Sequence, residues 1–266
     1  MFGFPTKKRE DDFQYKRNFL RTVIFRIDYA RSKSVVDNIE VFKNKLQDNF
    51  PNTNEILNTE TTLRFENKTP IFEPQSSLIE GIELKSKDLQ KSLKITDTFI
   101  AYAIEGGVYG NFENEFDIVK EVIETAQKES VDIEFVNRIA IRKINIIDFS
   151  IPNGVLIIDA VSSMFNNVLN KSLTELPRER TASNYNQSIG YTNIPYRLNF
   201  NYGYRQGTDN NWSALLDIDI FRNVENTQET IEIHQTEKEF IKINNEIFNI
   251  FHWSLQDNLL NELNKP

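Results

Sequence analysis

The chain has 266 residues, 39% apolar and 26% charged, enough for one large domain or two ordinary lobes. Its formal charge of -8 argues against a mainly electrostatic grip on nucleic acid, and the lack of cysteine excludes disulfides, thiolate nucleophiles and thiolate metal sites. Met1 to Asp12 carries mixed charge with no apolar signal core, and the longest apolar stretch, near Gly154 to Val161, is broken by Asp159. A cytoplasmic protein without a membrane partner is therefore the expectation.

Residues 1–18 are polar and charged, with two early Phe, and read as a loose N-terminal arm. An α+β lobe over 19–170 follows. It opens with LRTVIFRIDY, where Val23, Phe25, Ile27 and Tyr29 share one strand face. Ser34 reads as the cap of a helix whose stripe is Val35, Ile39, Phe42, Leu46 and Phe50, ended by Pro51. Between Thr61 and Glu105 the runs TTLRFE, SSLIEGIELKS, SLKIT and TFIAYAI predict an antiparallel meander. A helix is expected over Asn111 to Lys128, a strand over Glu134 to Phe149, and a helix over Val155 to Leu169.

The stretch 171–193 reads as a polar loop and lobe boundary. Residues 194–266 then supply a hairpin and a long C-terminal helix pattern, completing the same or a second lobe. The hairpin joins Tyr196–Arg205 to Trp212–Phe221, and the helix pattern over Thr236 to Leu263 is either continuous or bent near Trp253. Strands and helices do not alternate one for one, so the fold class is α+β: mostly antiparallel sheet covered by long amphipathic helices.

These landmarks resemble a sporadically distributed, functionally uncharacterised family of bacterial proteins of about this length. VIFRIDY and Phe50-Pro51 match its opening strand and helix end, and Tyr109, Phe112 and Phe116 match a Tyr followed by spaced aromatics. Its strand Arg-x-Gly-Leu-Arg-Tyr-x-Asn is met by Arg138, Arg142 and Asn145, with Ala140 and Lys143 replacing the Gly and Tyr. Asp217 and Asp219 match a late Asp-x-Asp strand, and Asn244, Ile247, Phe251, Leu255 and Gln256 follow a helix motif whose His and Thr are lost here. The resemblance implies a bacterial or mobile-element context of the kind that houses defence and toxin-immunity proteins, and it supplies no active site.

Two constellations carry chemistry. Asp217 and Asp219, two apart on a strand, present both carboxylates on one face, where they suit Mg²⁺ or an acid–base pair, or else pair with Arg138 or Arg142. Arg138 and Arg142, four apart, share a strand face as an anion platform or as structural counter-charges, while Asn145 falls on the opposite face. Glu83-Leu84-Lys85 has half of a nuclease strand's spacing, the two histidines lack metal-spaced company, and nucleotide loops and serine elbows are absent. No cofactor is predicted beyond that Mg²⁺ option. The expectation leans away from an enzyme, towards a cytosolic binding protein engaging a protein or a small anionic ligand through a sheet face or the 171–193 loop. A phosphate-directed enzyme or nucleic-acid binder using Arg138, Arg142, Asp217 and Asp219 is the alternative, and a structural subunit of a phage or secretion assembly a second. Oligomeric state is not legible.

Overall fold

Period-two alternation in LRTVIFRIDY builds the central strand, and the rest of the chain organises around its apolar side. The computed structural model describes residues 1–7, 19–66, 69–129, 133–174, 180–208, 211–224 and 230–263. Strand β1 (Leu20–Tyr29) leads through α1 (Lys33–Asp37) and α2 (Ile39–Leu46) into a meander of β2 (Asn52–Glu66), β3 (Thr69–Lys85), β4 (Lys91–Thr96) and β5 (Phe99–Glu105). Helix α3 (Phe112–Glu129) returns the chain to β6 (Phe135–Ser150), which is followed by α4 (Ile157–Met164) and α5 (Asn167–Thr174). The remainder is β7 (Ala182–Gly190), β8 (Tyr196–Gln206), β9 (Asn211–Asn223), β10 (Ile231–Glu232), α6 (Thr236–Ser254) and α7 (Asp257–Leu263).

One 10-stranded sheet results, in the order β2-β3-β4-β5-β1-β6-β9-β8-β7, with β10 pairing β6. Each of these pairings is antiparallel, as an α+β chain requires. Residues 19–170 and 194–266 both contribute strands to this one sheet. Among the described residues, the helices lie over one face. There Phe25 meets Tyr102, Phe112 and Phe240 with ring centroids 6.2, 6.0 and 5.9 Å away, and Phe112 stacks on Phe116 at 5.3 Å.

Several local expectations give way for identifiable reasons. The helix expected from Ser34 splits in two, because Asn38 turns its side-chain amide onto Ser34 O and Glu129 O, and Ser32 rather than Ser34 caps α1. Residues 1–7 of the expected loose arm lie pinned against α6: Phe2 N donates to Glu246 at 2.7 Å, Lys7 N to Asn249 at 3.0 Å, and Phe4 packs edge-on against Trp253. The remainder of that arm, residues 8–18, lies outside the described residues. The polar loop expected over 171–193 contains the end of α5 and the edge strand β7, whose polar outer positions hide its alternation.

Pro70 and Pro74 do not interrupt β3, because beyond Gly81 that strand pairs with β2 alone and its other edge needs no donors. Gly81 marks the exit of this two-stranded ribbon. A Cβ there would lie 2.2 Å from Ile95 O and 2.7 Å from Thr96 Cα, so only glycine lets β4 pass.

The helix pattern over Val155 to Leu169 also breaks, and the one over Thr236 to Leu263 takes its bent form, at matched places. Phe165 parts α4 from α5, Leu255 parts α6 from α7, and the two residues form an isolated antiparallel bridge. Asn166 N donates to Ser254 O and Gln256 N to Met164 O, each at 2.9 Å. Phe25→Ala is expected to lower unfolding free energy by about 3–5 kcal/mol, whereas Leu57→Ser on the exposed base of the ribbon stays within about 0.5 kcal/mol; urea titrations of both variants check the contrast.

Candidate functional site

The helix-free face of the sheet is where the sequence-predicted charges assemble. Register places Arg26 beside Ala101 and Ala140, Ala140 beside Phe221, and Phe221 beside Arg197, so one row crosses β5, β1, β6, β9 and β8. The next row carries Ala103, Ile24, Arg142, Asp219, Asn199 and Ser188. A third runs Thr22, Ile144, Asp217, Asn201 and Asn186. Side chains opposite one another in antiparallel strands share a face, which makes these rows a single surface.

On that surface Arg138, Arg142, Asp217 and Asp219 are neighbours, as paired strands β6 and β9 dictate. Arg142 Nε and Nη2 donate to the two oxygens of Asp217 at 2.9 and 2.7 Å, a bidentate fork that raises the guanidinium's pKa further. Asp217 is only 7% exposed although it faces away from the helices among the described residues, with the Arg142 guanidinium forked onto both its oxygens. Asp219 accepts from Asn199 Nδ2 at 3.2 Å; burial pushes its carboxyl above the ordinary aspartate range, against the opposing pull of Asn199, Arg138 and Arg142. Arg138 lies 4.5 Å over the Phe221 ring with Asp28 at 4.0 Å, and Arg26 lies 4.5 Å over Phe99 while donating to Asp28 at 2.6 Å.

Asn145 does not join this group. It sits on the helix-covered face, buried, donating to Leu216 O at 3.2 Å, so the anion set Arg138, Arg142 and Asn145 is divided between two sides of the sheet. The Mg²⁺ option meets a similar obstacle. Both oxygens of Asp217 are engaged by Arg142, and a divalent ion would have to displace that fork to use them, so the donor set does not fit the metal. Glu83 is likewise occupied, contacting Lys85 at 3.0 Å and Lys94 at 3.5 Å; burial alone would raise its carboxyl, but the two lysines together lower it. His234 pairs with Glu232 at 3.1 Å, and His252 packs on Phe248 with its pKa lowered by burial.

A polar cluster under the helices escaped prediction. Lys143 Nζ donates to Asn244 at 2.7 Å and to Tyr109 at 3.4 Å, and its ammonium lies 5.0 Å from the Tyr109 ring centre. The three residues lie far apart along the chain, on β6, on α6 and before α3, and no local pattern joins them. Compared with protein-family models, curated proteins and solved structures, the chain matches none.

Because the folded pKa of Asp219 lies above its unfolded value, its protonation favours folding. The associated stability is full below the ordinary aspartate pKa of about 3.9 and lost as pH rises through the folded pKa. Asp219→Asn is therefore expected to stabilise the protein at pH 7 and to lose that advantage towards pH 3.5, read from urea midpoints at both pH values. An equal effect at both would contradict the burial argument.

Proposed function

We propose that this chain is a non-enzymatic binding protein that engages a protein partner through the helix-free face of its sheet. The carrying observation is that three arginines at the centre of this face, Arg26, Arg138 and Arg142, are already held by neighbouring side chains. Arg142 forks onto Asp217, and Arg26 and Arg138 lie flat on Phe99 and Phe221 beside Asp28. Side chains held this way lose little further freedom on docking, which favours a broad, preorganised interface.

The same commitment weakens the phosphate-directed alternative. Guanidinium groups interleaved with Asp28, Asp217 and Asp219 produce little net field for a polyanion. Catalysis would want a concave pocket with an acid or base able to reach substrate. This face is instead a surface of cross-strand pairs. A role as an anti-phage defence or toxin-immunity component suits such a binder and the bacterial context that the family resemblance suggests.

Ala103 lies on this face, part-buried, between Ser92 and Ile24 in the register. Ala103→Arg adds bulk without removing a pair, so it is expected to abolish co-purification of the partner from the source cells while leaving the melting temperature within a few degrees. Titrations with DNA, RNA and cyclic nucleotides at several salt concentrations provide the opposing test. Tight binding with a steep salt slope, or metal-dependent turnover lost on alanine substitution at Asp217 and Asp219, would overturn the reading.

A further inference from the structure

The two ends of the sheet are treated differently. At the β2–β3 end the ribbon leaves the sheet past Gly81, register shifts lie between Ile56 and Leu57 and between Thr59 and Thr61, and Pro70 and Pro74 remove donors from the free edge of β3. Bulges and prolines are how natural sheets block accidental strand addition. At the other end β7 has none of these devices. Its sequence ASNYNQSIG contains no charged residue and no proline, and it pairs with β8 in unbroken register from Ala182–Arg205 to Gly190–Arg197. Among the described residues nothing pairs with its outer edge.

In an antiparallel ladder every second residue turns both backbone groups away from its partner, so β7 offers a regular row of donors and acceptors outward. No residue of β7 itself is charged in a chain carrying -8, and the guanidinium groups that reach it, Arg197 over Gly190 and Arg180 on Ser183, lie towards its two ends rather than at its centre, where a two-fold axis would fall. The strand is also self-complementary. With a two-fold axis at Asn186, Asn186 faces Asn186 of the second copy, Tyr185 faces Gln187, Asn184 faces Ser188, Ser183 faces Ile189, and Ala182 faces Gly190. Exposed amides and hydroxyls at Asn184, Asn186 and Ser188 then meet on the polar face, and Tyr185, Gln187 and Ile189 meet on the helix side.

We infer that the chain forms a two-fold dimer by antiparallel pairing of β7 with β7 of a second copy, joining two sheets edge to edge. Closed two-fold contacts of this isologous kind are the commonest symmetry of soluble homo-oligomers. The inference concerns the edge of the sheet and does not depend on the role given to its face.

Sedimentation equilibrium on the full chain tests it. The wild type is expected at twice the 31.2 kDa chain mass. Asn186→Lys places two ammonium groups opposite each other across the axis and is expected to halve that mass with an unchanged far-ultraviolet spectrum. Leu78→Lys, on the ribbon at the other end, is expected to leave the dimer intact. Hydrogen exchange on the wild type adds a readout independent of any variant: protection of Ala182–Gly190 amides should rise with protein concentration. A monomer at the highest soluble concentration, an assembly larger than two, an Asn186→Lys dimer, dissociation by Leu78→Lys, or concentration-independent exchange at β7 would each overturn the proposal.

Discussion

Everything in this structure follows from a sheet buried on one side only. Helices α2, α3 and α6 cover a single face, so each strand must sort its residues by parity, large apolar groups inward and polar groups outward. Phe25, Ile139, Phe200, Tyr202 and Ile218 satisfy the first demand, and Arg26, Arg142, Asn199, Asn201 and Asp217 the second. With no second layer to shield them, the outward groups stabilise one another laterally. The Arg142–Asp217 fork is the clearest instance, engaging a carboxylate that is almost inaccessible on the face turned away from the helices among the described residues.

The covered side has polar demands of its own. Tyr102 donates to Glu115, which also takes Lys91, and Tyr196 donates to Glu239, which Arg222 and Lys242 approach. Burial and the adjacent carboxylate hold both phenols well above the ordinary tyrosine range. Each network joins a strand to a helix. They fix how α3 and α6 sit on the sheet, where apolar packing alone tolerates sliding.

Local periodicity makes much of this legible in the sequence. VIFRIDY, the Phe112–Ala126 stripe and the β8–β9 hairpin carry their structure in residues a few positions apart, and each was found where expected. What stayed hidden depends on distance along the chain or on weak contrast. Arg142 and Asp217 are 75 residues apart and Lys143 and Asn244 are 101, so nothing local states that β6 lies beside β9 or beneath α6. The strand β7 escaped because an edge half-covered on one side shows little apolar alternation, and Asn38 escaped as a break because its backbone-seeking amide acts inside an otherwise good helical stripe.

The bridge between Phe165 and Leu255 has a mechanical consequence. Each break donates to the other's backbone, and Gln256 Nε2 adds a bond to Phe165 O at 2.8 Å. Neither kink can straighten without cutting its twin's bonds, so the two act as halves of a buckle. The tail of the chain is thereby latched to its middle, and fraying from α7 inward must stall at Leu255 until α4 and α5 let go as well.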